Sequence, residues 1–193
     1  MSAPAAIAMF GLSGAQTYPI ADVLSTARDS CEAALADNDA GQALQAIGWT
    51  SVAPTAGSWV AAELEKEAEF WRRVPNYAPS RIYAIKVADQ LIVAFVNTIT
   101  LKDGDLKVCS IEDRNAEVEG AGKILEWAGR KPTNPVLLQP DLQLEFEKFH
   151  VSKAWKPGLH ASADSTIIRY MAPKNGGTGL LFASERLVKK EVP

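Results

Sequence analysis

RIYAIKVADQLIVAFVNTITLKDGDLKVCSIED, residues Arg81 to Asp113, holds three runs rich in β-branched and aromatic residues, interrupted at Asp89-Gln90 and at Asp103-Gly104. Asp-Gly between alternating apolar residues is a strong short-range hairpin signal, so the stretch predicts an antiparallel three-stranded meander. With Asp103-Gly104 as the loop, Leu101 faces Leu106 and Ile99 faces Val108. Side chains alternate along a strand, which sets Leu91, Val93 and Phe95 on that same side. Tyr83, Ile85, Val87, Ile92, Ala94, Val96 and Cys109 then share the other side. Both faces are apolar, and such a sheet needs a cover on each.

Upstream, the spacing is helical. Ile20, Val23, Leu24, Ala27, Cys31, Ala34 and Leu35 recur at steps of three and four, the stripe of an amphipathic helix that Pro19 opens and Asp37-Asn38-Asp39 closes. This helix is the natural cover for the Cys109 face, which makes Cys31 and Cys109 the disulfide candidate. A short helix over 40–47 stops at Gly48, and a third runs from a Ser58 cap to Arg73 with Val60, Leu64, Ala68 and Trp71 inward.

Downstream, a fourth helix is expected over 115–128. Gly120 and Gly122 each cost it about 1 kcal/mol relative to Ala, and close packing on the sheet is the expected use of those small residues. Leu142 to Val151 reads as a strand, Trp155-Lys156-Pro157-Gly158 as a turn, and 165–172 with 179–187 as a second hairpin across Asn175-Gly176-Gly177. The order predicts an α+β fold: an antiparallel sheet, the meander plus C-terminal strands, covered by N-terminal helices and one inserted helix.

The chain of 193 residues, 47% hydrophobic and 22% charged, has the makings of one globular domain over 16–188, with a tail at 189–193. Residues 1–15, MSAPAAIAMFGLSGA, are small or apolar and end in a small-x-small triplet of the kind signal peptidases cut, without a basic n-region. The expectation is a signal-peptide remnant on a periplasmic or secreted protein of bacterial type. The alternative is an uncharged, disordered tail on a cytoplasmic one. No apolar run reaches the roughly 20 residues that span a bilayer. A net charge of −3 with scattered Lys and Arg argues against nucleic acid as partner, because phosphate binding needs clustered cations.

Little in the sequence points to chemistry. The two cysteines are far from metal-ligand spacing and H-x-x-x-H does not occur, so no metal and no cofactor is expected. His160, in a polar loop with Asp164, is the weak catalytic candidate; Glu147 is a second possible acid. Trp49 and Trp155, placed beside turns, and Arg169 and Tyr170, alternating on the last hairpin, are the binding candidates. No motif identifies a family. As architecture alone, a sheet wrapped by N-terminal helices resembles the NTF2-like cone and the profilin-like and PAS-like sheets, and such analogy carries no function. The expected function is a non-catalytic exported domain that binds a protein or a small apolar ligand. The alternative is a small-substrate enzyme of NTF2-like architecture using a His/carboxylate pair.

Overall fold

The computed structural model describes residues 17–72, 74, 77–133, 150–171 and 178–190. Their elements, in chain order, are α1 (Ile20–Ala36), α2 (Ala40–Ala46), β1 (Thr50–Ser51), α3 (Trp59–Trp71), β2 (Arg81–Val87), β3 (Gln90–Leu101), β4 (Gly104–Asp113), α4 (Ala121–Ala128), β5 (His150–Trp155), β6 (Ser165–Met171) and β7 (Leu180–Lys189). The strands form one antiparallel sheet in the order β1-β2-β3-β4-β7-β6-β5. The fold is α+β. β7 enters between β4 and β6, in the middle of the sheet.

The α1 stripe packs as its spacing requires. Ile20, Val23, Leu24, Ala27, Cys31, Ala34 and Leu35 are all buried against Tyr83, Ile92, Ala94, Val96, Cys109 and Ile111 of the sheet, with α2 and α4 alongside. Cys31 and Cys109 are joined in a disulfide, with their Cα atoms 5.4 Å apart. The far end of α1 is tethered as well. Lys107 Nζ donates to the Asp37 carbonyl (2.6 Å) and Arg186 Nη1 to that of Leu35 (3.4 Å), so cations from β4 and β7 meet the carbonyl-rich end of the helix.

The opposite face carries a smaller apolar cluster. Ile82, Val93 and Phe95 are buried there, and Trp59, Val60 and Leu64 of α3 pack on them together with Ala84. Ser58 Oγ caps α3 by accepting from the Ala61 amide (3.2 Å). Ala68, expected in the buried stripe, is exposed, and α3 has no fully buried residue. Polar bonds hold its far end: Glu67 Oε1 accepts from Ser80 Oγ (2.6 Å) and from Asn97 Nδ2 (3.2 Å).

The meander turns one residue earlier than the Asp-Gly signal implies. Leu101 is opposite Gly104 and Ile99 opposite Leu106, so Lys102-Asp103 is the loop and Gly104 belongs to β4. A Cβ on Gly104 would lie 2.3 Å from the Val188 carbonyl oxygen; the glycine admits β7 rather than making the turn. Because the register moves by two positions, each side chain keeps its face. The β2–β3 loop is Ala88-Asp89, both at positive φ (44° and 68°), the combination of a type I′ turn.

Other expectations change. The fourth helix begins at Ala121, not 115: the Asp113 carboxylate captures the Asn115 amide (2.9 Å), a local bond that competes with helix formation. A Cβ at Gly120 or Gly122 would meet no atom within 4 Å, so close packing is not what those glycines serve. Trp155 ends β5 rather than sitting in a turn. Of the strand expected over Leu142–Val151, 142–149 lie outside the described residues, as do Arg73 and Asn175-Gly176-Gly177.

Two stability measurements check this account. Replacing both cysteines by serine removes a cross-link between positions 78 apart and is expected to cost about 2–4 kcal/mol in urea unfolding; an unchanged midpoint would show that the tie does not constrain the chain. Ala88→Asn with Asp89→Gly places the residues a type I′ turn prefers at the positive-φ pair, and is expected to add about 1 kcal/mol, with a loss of stability counting against that turn type.

Candidate functional site

A helix with its side chains is roughly 10–12 Å across, the width of about two strands. The apolar contacts of α3 are with β2 and β3, and the sheet continues past it. In the angle between α3 and β4, β7 and β6 lies a cleft of about 400 Å³, lined by Glu63 and Lys66 of α3, Glu112, Asp113 and Arg114, Arg169 and Met171, and Thr178 to Leu181.

One row of paired residues makes its floor. Val93 is opposite Glu112, Glu112 opposite Leu181, Leu181 opposite Arg169, and Arg169 opposite Ser152. Alternation puts all of them on the α3 side of the sheet. Glu112 and Arg169 are thus two strand spacings apart, roughly 10 Å between backbones, with Leu181 between them. Arg169 Nε donates to Ser152 Oγ (3.3 Å). At the rim, Gly179 has a φ of 138°, a conformation any other residue would hold under strain. Its amide donates to the Ala116 carbonyl (2.8 Å) and its carbonyl accepts from the Met171 amide (3.1 Å).

Arg114 joins the two walls. It reaches Glu63 of α3 through Nη2 (2.9 Å) and Glu112 of β4 through Nε (3.3 Å), and its guanidinium lies 4.7 Å from the centroid of the Trp59 ring. Lys66 Nζ also meets Glu63, at 3.3 Å. Asp113 is turned the other way: its 2%-exposed carboxylate accepts from the Tyr18 hydroxyl (2.8 Å) and the Asn115 amide. Among the described lining residues Glu63, Glu112 and Asp113 stand with Lys66, Arg114 and Arg169, so acidic and basic side chains are equal in number.

The side chain of Glu112 is only 16% exposed. Burial, reinforced by the Glu63 carboxylate, holds its carboxyl above the usual range, and Arg114 only partly opposes the shift. Burial likewise pushes the Arg169 guanidinium down from its ordinary value, while the Glu112 carboxylate acts to raise it. The cleft therefore presents a carboxyl that keeps its proton to higher pH than an exposed one, facing guanidinium groups across an apolar floor. Such an arrangement can orient a small polar group and exchange one proton with it.

The residues singled out in the sequence are dispersed. Arg169 lies in the cleft; Tyr170, one residue on, is 3% exposed on the core side. Trp49 and Trp155 are core residues, 3% and 0% exposed. Their indole N–H groups donate internally, to Ser30 Oγ (2.9 Å) and to the Arg130 carbonyl (3.1 Å). His160 is buried, and among the described residues neither ring nitrogen has a hydrogen-bond partner. Burial pushes its imidazole down, opposed mainly by Glu32 of α1. Asp164 is exposed and accepts from the Leu187 amide (2.7 Å), so it makes no hydrogen bond to His160. Glu147 lies outside the described residues.

Glu63, Lys66, Glu112 and Arg114 were not anticipated as site residues. A signal exists for one of them: Glu112 continues the Val108, Ser110 alternation, so a charge sits on a face that the strand otherwise gives to packing. The others gain meaning only when α3 is laid beside β4.

The raised Glu112 carboxyl has a testable sign. A group whose folded-state pKa lies above its unfolded value contributes stability below the unfolded pKa, and that contribution is lost as pH rises through the folded one. Glu112→Gln is therefore expected to match the wild type near pH ~4 and to exceed it in thermal stability near pH ~7. A variant less stable than wild type at neutral pH would show that the arginines favour the ionised form more than burial disfavours it. Comparison of the chain with protein-family models, with curated proteins and with solved structures finds no match.

Proposed function

We propose that this chain is a non-catalytic domain that binds a small molecule in the cleft beside α3, and that it works in an oxidising, exported compartment. The observation that carries the reading is the cleft itself: about 400 Å³, in the size range of small-molecule sites, with Leu181 and Met171 as apolar surface and Glu112 and Arg169 as largely desolvated polar groups.

Several features favour binding over catalysis. The hydroxyl in the lining, that of Thr178, donates to the Arg114 carbonyl (2.8 Å) and so is not aimed at a base. His160, the base of the enzymatic alternative, is not among the lining residues. The Cys31–Cys109 disulfide supports the compartment, because such bonds persist where thiols are not kept reduced. Among the described residues no helix is long and apolar enough to cross a membrane.

The test is a thermal-shift and native mass spectrometry screen of the oxidised protein against small amphipathic acids, amines and alcohols, run beside Leu181→Trp, which fills the floor of the cleft. A compound that binds the wild type and loses at least about tenfold in affinity, roughly 1.4 kcal/mol, in Leu181→Trp is the expected result. Binding equal in both proteins would place the ligand elsewhere.

A further inference from the structure

The loop between β5 and β6, residues 156–164, is fastened by groups that do not titrate in the neutral range. Arg130 Nη2 donates to the Pro157 carbonyl (2.6 Å) and to that of Gly158. Within the loop the Gly158 amide donates to the Ala163 carbonyl (3.1 Å), and the Ala163 amide to that of His160 (3.2 Å). The Leu159 amide donates to Thr166 Oγ1 (2.9 Å), which shares a buried hydrogen bond with Ser184 Oγ (2.8 Å). A Cβ on Gly158 would lie 2.5 Å from that of Ala163, so the two ends of the turn press together.

His160, at the tip, is held differently. Its ring is buried, at 9% exposure, yet among the described residues neither nitrogen has a hydrogen-bond partner. A neutral imidazole so placed leaves one donor and one acceptor unsatisfied; an imidazolium would leave two donors and a charge. The charged groups that face it are Glu32, Arg28 and Asp29, all from α1. Arg28 is already engaged, by Asp29 (2.8 Å) and by the Trp127 ring, whose centroid is 5.7 Å away. The loop's own carboxylate, Asp164, holds the Leu187 amide. Attraction from Glu32 and Asp29 thus acts without a hydrogen bond, against the repulsion of Arg28 and the loss of water. Burial prevails and keeps the imidazole below its ordinary value.

We infer that the 156–164 loop is an acid-released latch on α1, closed while the His160 ring is neutral and opened when that ring takes a proton. Opening exposes Leu159, which packs on the core, and uncovers the surface of α1 that carries Asp29 and Glu32. His160 does not line the cleft beside α3, so the latch stands apart from the ligand reading. The sign follows from linkage. A group depressed in the closed state favours closing fully above its open-state value, and that contribution is lost as pH falls below it. The open-state value is the ordinary one, 6.5. From pH ~7.5 to ~5.5 the neutral share of such a group falls about tenfold, which is the most the latch can loosen over that range.

Amide hydrogen exchange followed by NMR, corrected for its intrinsic pH dependence, reads the opening. In the wild type the protection of the Gly158, Leu159 and Ala163 amides is expected to fall several-fold between those pH values, with about tenfold as the limit. At both they are expected to be less protected than the amides of β4, because the loop opens without the sheet. His160→Phe keeps a ring that cannot take a proton, and is expected to lose the pH dependence while circular dichroism shows it folded. The wild-type imidazole itself, followed by its carbon-bound protons, is expected to titrate with a midpoint below about 6.5.

A midpoint at or above the ordinary value would show that the carboxylates of α1 outweigh burial, and would overturn the latch whether or not the variant folds. Loop protection that does not change with pH would do the same, as would a fall of equal size in His160→Phe. Loop amides as protected as those of β4 would make the opening global and overturn it too.

Discussion

A β-sheet with apolar side chains on two faces is stable in water only when both are covered, and this requirement organises the molecule. Ile92, Ala94, Val96 and Ile111 point one way and Ile82, Val93 and Phe95 the other. The first group is met by α1, whose unbroken stripe is joined to β4 by the Cys31–Cys109 bond and tethered at its end by Lys107 and Arg186. Burial supplies the attraction, and these directional links fix where along the sheet the helix rests. That face becomes the principal core, and the sheet's own residues complete it from Tyr83 on β2 to Trp155 on β5.

Among the described residues, the second face is covered less completely. A single helix spans about two strands, and α3 places its apolar side chains on β2 and β3. Polar bonds add to that hold: Glu67 on Ser80 and Asn97, and Glu63 on Arg114. The cleft is the consequence. Among the described residues the sheet is wider than the helix laid over it, and the cleft's contents follow from which residues fall at the boundary. Glu112 is brought there by strand alternation, Arg114 by the chain leaving β4, and Arg169 by the insertion of β7 between β4 and β6.

Opposing electrostatic effects meet at Glu112. Arg114, 3.3 Å away, favours the ionised carboxylate, but it is shared with Glu63, which is itself negative and disfavours it. Burial adds to the latter, and together they prevail. The same helix edge that supplies the stabilising cation supplies the competing anion, so the site keeps a carboxyl poised to accept a proton.

Much of this architecture was legible along the chain, because it depends on period and parity. The α1 stripe followed from its three-and-four spacing, and the two faces of the meander followed from alternation, which survived a two-position error in register because two is an even step. What depended on local competition was misread: Asp113 captures the Asn115 amide and delays α4, Gly104 answers the approach of Val188 rather than a turn, and Trp155 belongs to a strand.

The cleft belongs to a different category. Glu63 comes from α3, Glu112 from β4, Arg114 from the residue after it and Arg169 from β6; Arg169 stood out as a binding candidate and Glu112 as a charge on a packing face, whereas Glu63 and Arg114 alone read as ordinary surface charges. Sequence by itself determined which residues seek one another out of water, since burial of an apolar face depends only on its periodicity. Tertiary structure alone decided the strand order, the place of the cleft beside α3 and the charges gathered there, because desolvation and Coulomb interactions depend on distances between residues far apart in the chain.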